Sequence, residues 1–270
     1  TYDASGNPLN YMGHNLSWTM GRQLASFDGI AYTYNETGIR TSKTVDNVTT
    51  TYYLDGTNII EQIADNTVLH FYYDSNDEVI GFEYDSDNYY YVKNAMGDIL
   101  GIADSDGNLI ASYAYDPWGK VLSITGSDIV VGNLNPFRYR GYYYDNETGL
   151  YYLQSRYYDP EVGRFINCDD VNYIGATGSE VSYNPFAYCE NNPVNYSDFT
   201  GQSLILATAI GFGVGVLISG CYRLYQNYRT GTKWYNGLAI SMLAGGIGGA
   251  ISCISIPGVS SWVCATVFGA

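Results

Sequence analysis

Positive charge is scarce in this chain. Twelve Lys and Arg stand against 27 Asp and Glu in 270 residues, a formal net charge of −15. So acidic a body repels a phosphate backbone, and no nucleic-acid partner is expected for it. Histidine is scarcer still: His14 and His70 are the two, far apart and with no Cys or second His nearby. That leaves no ligand spacing for a metal. The five cysteines (Cys168, Cys189, Cys221, Cys253, Cys264) are odd in number, widely spaced and never in a CxxC pair. They read as small buried thiols, not as a disulfide framework or zinc site. No phosphate loop, nucleophile elbow or dinucleotide fingerprint occurs, so no cofactor is expected. The chain opens at Thr1 with neither a basic stretch nor an apolar run. No signal peptide is therefore visible, and the sequence reads as an excerpt from a longer protein.

Tyrosine is abundant, with 30 residues, while charged residues make up only 14%. A polar-tipped ring can be half buried with its hydroxyl satisfied, which suits broad β surfaces better than compact helical cores. Charge also divides the chain. All 27 acidic residues precede residue 202, and beyond it stand only Arg223, Arg229 and Lys233. A boundary near Gly201 follows.

From Tyr2 to about Gly126 one phrase recurs: aromatic-x-aromatic, Asp or Asn, a few small polar residues, Gly, then an aliphatic run. Tyr32-Thr33-Tyr34-Asn35, Tyr73-Asp74 and Tyr113-Ala114-Tyr115-Asp116 are examples. Asp or Asn followed by Gly supplies the positive φ of a tight turn, and the flanking Tyr, Thr, Val and Ile suit pleated strands. A series of β-hairpins is predicted. One hairpin cannot bury its own faces, so neighbours must stack into a continuous sheet. These are the features of YD repeats, and the chain resembles the Rhs/YD-repeat family over about Tyr2 to Gly201.

The resemblance is most specific between Asn135 and Gly201. There stand Arg138-Tyr139-Arg140-Gly141, Glu147-Thr148-Gly149-Leu150-Tyr151-Tyr152, Arg156-Tyr157-Tyr158-Asp159-Pro160, Gly163-Arg164-Phe165 and Asn191-Asn192-Pro193. As an ordered set they are similar to the Rhs-associated core. The resemblance implies a β-sheet spiral that closes as a shell around a C-terminal cargo, with the core as plug. It also implies an intramolecular aspartyl protease that frees the cargo near residues 201–203. Two carboxylates sharing a proton can split the work: one activates water, and the protonated partner polarises the carbonyl. The positions matching the family's aspartates are Asp169 and Asp198, with Arg164 as the associated arginine. Asp170 beside Asp169 leaves open which of the two would pair.

After residue 201 the composition changes. Residues 204–222 and 237–256 are apolar runs, each about the ~20 residues that cross a bilayer as a helix. Gly237, Ser241, Gly245 and Gly249 recur every fourth residue, a face suited to close helix packing. A helical hairpin with a polar, basic connector over 222–236 is predicted.

The expected fold is thus mainly β, with YD repeats over 1–134, a core over 135–201 and a Gly-rich hydrophobic helical hairpin over 202–270. The expected role is to enclose and release the chain's own C-terminal segment in a secreted or cell-surface toxin. A target membrane and a cognate immunity protein are the further partners implied. Two other roles fit: a non-proteolytic surface adhesion protein, or a membrane-inserting, pore-forming effector.

Overall fold

The computed structural model describes residues 1–198, 200–201 and 219–244. The chain divides into two units: residues 1–194 with 199–202, and residues 195–198 with the chain after 202.

Thirteen strands of the first unit form one antiparallel sheet in strict chain order. They are β1 (Asn10–Tyr11), β2 (His14–Thr19), β3 (Gln23–Phe27), β4 (Ile30–Tyr34), β5 (Arg40–Val45), β6 (Val48–Asp55) and β7 (Asn58–Ala64). The series continues with β8 (Thr67–Tyr73), β9 (Val79–Tyr84), β10 (Asp87–Lys93), β11 (Ile99–Ala103), β12 (Leu109–Tyr115) and β13 (Val121–Gly126).

The recurring phrase has a physical explanation. Its Asp or Asn folds the loop: Asp74 Oδ1 accepts the amides of Asn76 at 2.8 Å and Glu78 at 3.0 Å. Asn35 does the same for Thr37 and Ile39, and Asp116 for Trp118 and Lys120. Three residues after each Asx the backbone turns left-handed, at Gly38 (φ 85°) and Gly119 (φ 89°). Asp77, at φ 61°, occupies that slot in a loop without Gly. The preceding Tyr reaches back across the sheet. Tyr34 donates to Leu24 O at 2.9 Å, Tyr73 to Ile59 O at 2.9 Å and Tyr115 to Ile99 O at 2.8 Å. A β-bulge precedes each of these tyrosines and re-aims its ring.

Period-2 alternation then sorts the faces. Leu24, Leu69, Phe82, Ile99 and Ile102 are fully buried, whereas Tyr53, Ile60, Ile80 and Tyr90 lie exposed on the other side. A short helix, α1 (Ile129–Leu134), follows β13; Asp128 caps it by accepting from the Val130 and Val131 amides.

A second, four-stranded antiparallel sheet follows: β14 (Tyr143–Asp145), β15 (Leu150–Leu153), β16 (Arg156–Asp159) and β17 (Arg164–Phe165). Every residue of β15 and β16 is buried. The large sheet and its loops supply the cover. Tyr143 donates to Gln62 Oε1 and Tyr157 meets Tyr34, while Tyr151 donates to Gly119 O and Tyr158 to Trp118 O. The repeats therefore wrap the core sheet from two sides.

In the second unit residues 219–229 and 238–244 are helical. The polar, basic connector predicted over 222–236 is corrected: residues 222–229 of it are helical, and the helix stops at Thr230-Gly231, where Gly231 has φ 65°. Charge had suggested the break, but Arg223 and Arg229 are good helix formers; the Gly ends the helix. The apolar runs 204–222 and 237–256 fall largely outside the described residues. Among the described residues no helix is long and apolar enough to cross a membrane.

Candidate functional site

The two-residue turn Gln154-Ser155 joins β15 to β16, with Gln154 at φ 56°. It grips the outgoing chain at residues 200–201. The Ser155 hydroxyl lies 2.6 Å from Thr200 O and 2.9 Å from Gly201 O. Arg156 Nε also donates to Gly201 O. Gly201 sits at φ 70°, and a Cβ there would come within 2.8 Å of both Leu153 O and Ser155 Oγ. Only glycine fits this close approach.

Arg156 is the hub. It is buried, lies 3.6 Å from the centroid of the Phe165 ring, donates from Nη1 to Pro185 O at 3.3 Å and meets Asp169 Oδ2 at 3.0 Å. One guanidinium thus touches both the Gly201 carbonyl and a carboxylate. Asp169 is itself anchored, its amide donating to Pro185 O and its Oδ1 accepting the Asp170 amide at 2.7 Å.

Asp170 turns elsewhere, pairing with Arg22 Nη2 at 3.0 Å. The Asn172 amide, more than Arg22, holds its carboxyl below the ordinary aspartate range. Of the two neighbouring aspartates, Asp169 is therefore the one paired with Arg156. Asp198 is buried and belongs to the second unit. Arg164 lies on β17 with its side chain exposed, opposite Asp159 in register, while Phe165 points inward. The arginine that meets Asp169 is thus Arg156, thirteen residues earlier in the chain than the aspartate. Arg164, the arginine that the family resemblance implied, stands on the outer face by strand alternation.

A second cluster fastens the core to the repeats. Arg40 on β5 is wholly buried and bidentate to Asp145 on β14, at 2.6 and 3.2 Å. Lys43 joins at 3.0 Å and also reaches Glu147 at 2.8 Å. Tyr152, Tyr143 and Tyr52 present their rings to the Arg40 guanidinium at 4.4, 4.9 and 5.0 Å. Burial penalises the Asp145 charge, but Arg40 and Lys43 outweigh it and hold the carboxyl below its usual range. Nothing in the sequence flagged Arg40. Its ion-pair partner, Asp145, lies 105 residues further along the chain.

Comparison with known proteins agrees with this architecture. A family model described as the teneurin YD-shell matches residues 63–194. The tRNA(Glu)-specific nuclease WapA of Bacillus subtilis subsp. natto is 34% identical over 260 residues, covering 92% of this chain and 11% of that protein. The toxin protein Tse5 of Pseudomonas aeruginosa is 32% identical over 123 residues, 46% of this chain and 8% of its own length. Among solved structures, TcdB2-TccC3 without its hypervariable C-terminal region superposes with a TM-score of 0.60 at 23% identity, over 74% of this chain and 11% of that one. The chain therefore spans about a tenth of the length of these relatives. With the ordered motifs, the tyrosine-linked hairpins and the enclosed second sheet, these matches show that the chain belongs to the Rhs/YD-repeat family, as a YD-shell region.

Proposed function

We propose that this region encloses the segment that follows residue 201 as cargo and frees it by cutting its own chain near residues 201–203. The observation that carries the reading is the shared guanidinium: Arg156 donates to the Gly201 carbonyl and pairs with Asp169. Donors fixed on a carbonyl oxygen stabilise the negative charge that develops there when water attacks, and Ser155 adds a second such donor. Asp169 and Asp198 are the proposed carboxylate pair. In its ionised form one takes a proton from water as the new C–O bond forms. The protonated other gives its proton to the departing amine as the C–N bond breaks.

The proposed domain limits are repeats over 1–134, core over 135–201 and cargo from 202. The relatives named as toxins support export, with the whole protein secreted or cell-surface. The apolar runs 204–222 and 237–256 support a target membrane as one partner of the cargo; a cognate immunity protein is the other partner proposed.

Intact mass of the denatured full chain tests the reading. Two fragments meeting between residues 201 and 203 are expected, and a single uncleaved mass for Asp169→Asn, Asp198→Asn and Arg156→Gln. An uncleaved wild type would leave a passive shell, as in an adhesion protein. Arg164→Gln is expected to cleave like wild type.

A further inference from the structure

The loop carrying Asp169 is held by the first hairpins of the repeat sheet, more than 140 residues away. Arg22 is the last residue of the turn between β2 and β3. Its Nη2 pairs with Asp170, and its backbone carbonyl accepts from Asn167 Nδ2 at 3.2 Å. Asn167 is fully buried, and its other amide atom, Oδ1, accepts the Tyr157 amide on β16 at 3.0 Å. The Asp3–Asn7 loop closes on the same place. Cys168 Sγ contacts Gly6 O at 3.7 Å, and a Cβ on Gly6, which sits at φ 84°, would fall 2.9 Å from that sulfur. Asn7, fully buried, ties this loop to the Arg22 turn by donating to Gly21 O at 2.6 Å. Tyr11 donates to Asp159 Oδ2 at 2.7 Å and completes the attachment.

Residues 167, 168 and 170, which flank Asp169, therefore each rest on the repeat sheet. The Arg22–Asp170 pair is about one-third exposed on both sides, so it contributes little to global stability. Its geometric effect is larger. Asp170 follows Asp169 directly, and the Asp170 amide donates to the Asp169 carboxylate. Moving one moves the other.

We infer that Arg22 is a positioning residue for the Asp169 site, and that self-cleavage is conditional on the repeat sheet having closed over the core. This rests on the self-cleavage reading above. The core sheet carries Arg156 and the Gly201 grip itself, but borrows the support of its carboxylate loop from hairpins at the far end of the described shell. A chain whose shell has not closed would keep its cargo attached, and a closed one would cut.

The test is the time course of cleavage during cell-free synthesis of the full chain, with thermal unfolding of the Asp169→Asn background as a control on stability. Arg22→Ala is expected to slow cleavage on the order of tenfold or more, the effect of a small misplacement of a reacting group, with little change in Tm. Arg22→Lys keeps the charge and is expected to recover most of the rate. Gly6→Val, which drives a side chain into Cys168, is expected to slow cleavage independently of charge. Wild-type speed in both Arg22→Ala and Gly6→Val would overturn the inference and leave the self-cleavage reading standing. No cleavage in wild type would overturn both. Slow cleavage in Arg22→Ala that Arg22→Lys does not recover would also overturn the positioning role of the charge.

Discussion

The two sheets of the first unit solve burial in opposite ways. The repeat sheet hides one face and leaves Tyr53, Ile60, Ile80 and Tyr90 open on the other, and three of its hairpins share the same Asx loop and the same tyrosine tie, at Tyr34, Tyr73 and Tyr115. The core sheet is buried throughout β15 and β16, and its fastenings are unique: one Arg40, one Asp145, one Arg156. Repetition spreads stability over many small, interchangeable terms. Enclosure concentrates it in a few charges that have no substitute.

Several substitutions would break or sharpen that contrast. The largest effect is expected at Arg40. Arg40→Met leaves Asp145 buried with Lys43 alone, and should cost about 3–5 kcal/mol, read as a lowered midpoint in urea. The same cluster sets an acid limit. The Asp145 carboxyl is held below its ordinary range, so its stabilising contribution is complete above the unfolded-state value of about 4 and is lost as pH falls below it. Tm measured from pH 6 to pH 2 should drop in that window, and the drop should shrink in Arg40→Met. By contrast, one repeat tie is expected to be worth only about 1 kcal/mol, so Tyr73→Phe should shift the midpoint modestly. Equal losses for Tyr73→Phe and Arg40→Met would refute the contrast between spread and concentrated stability. Smallest of all, Asp77→Gly should stabilise by up to about 1 kcal/mol, since it places glycine where the backbone is already left-handed. A loss of stability there would mean that the Asp77 side chain matters more than its backbone.

How much could be read from the chain alone follows the same division. Hairpins such as Tyr73-Asp74 to Asp77 were legible because loop, turn and strand lie within a few residues of each other. The existence of a core was legible from its ordered motifs. Which charges meet inside it was not. Arg164 stands five residues before Asp169 yet faces outward, because β17 alternates and Phe165 takes the inner position. Arg156 reaches Asp169 only because β16 and the 167–170 loop are brought together by pairing that no local pattern encodes. Arg40 looks like any strand charge until Asp145 is placed beside it. In the tail, charge misled where backbone chemistry decided: Arg223 and Arg229 ride on a helix that ends at Gly231.

The tyrosine ties have a direction. Tyr34, Tyr73 and Tyr115 each bond to a carbonyl that precedes them in the chain, at Leu24, Ile59 and Ile99. As such a chain leaves the ribosome, each of these three tyrosines finds its acceptor already made. Because the acceptor is main chain, any residue can supply it. The sheet can grow in order of synthesis, each hairpin serving as template for the next, and the core, made after all thirteen strands, arrives last at a surface prepared for it.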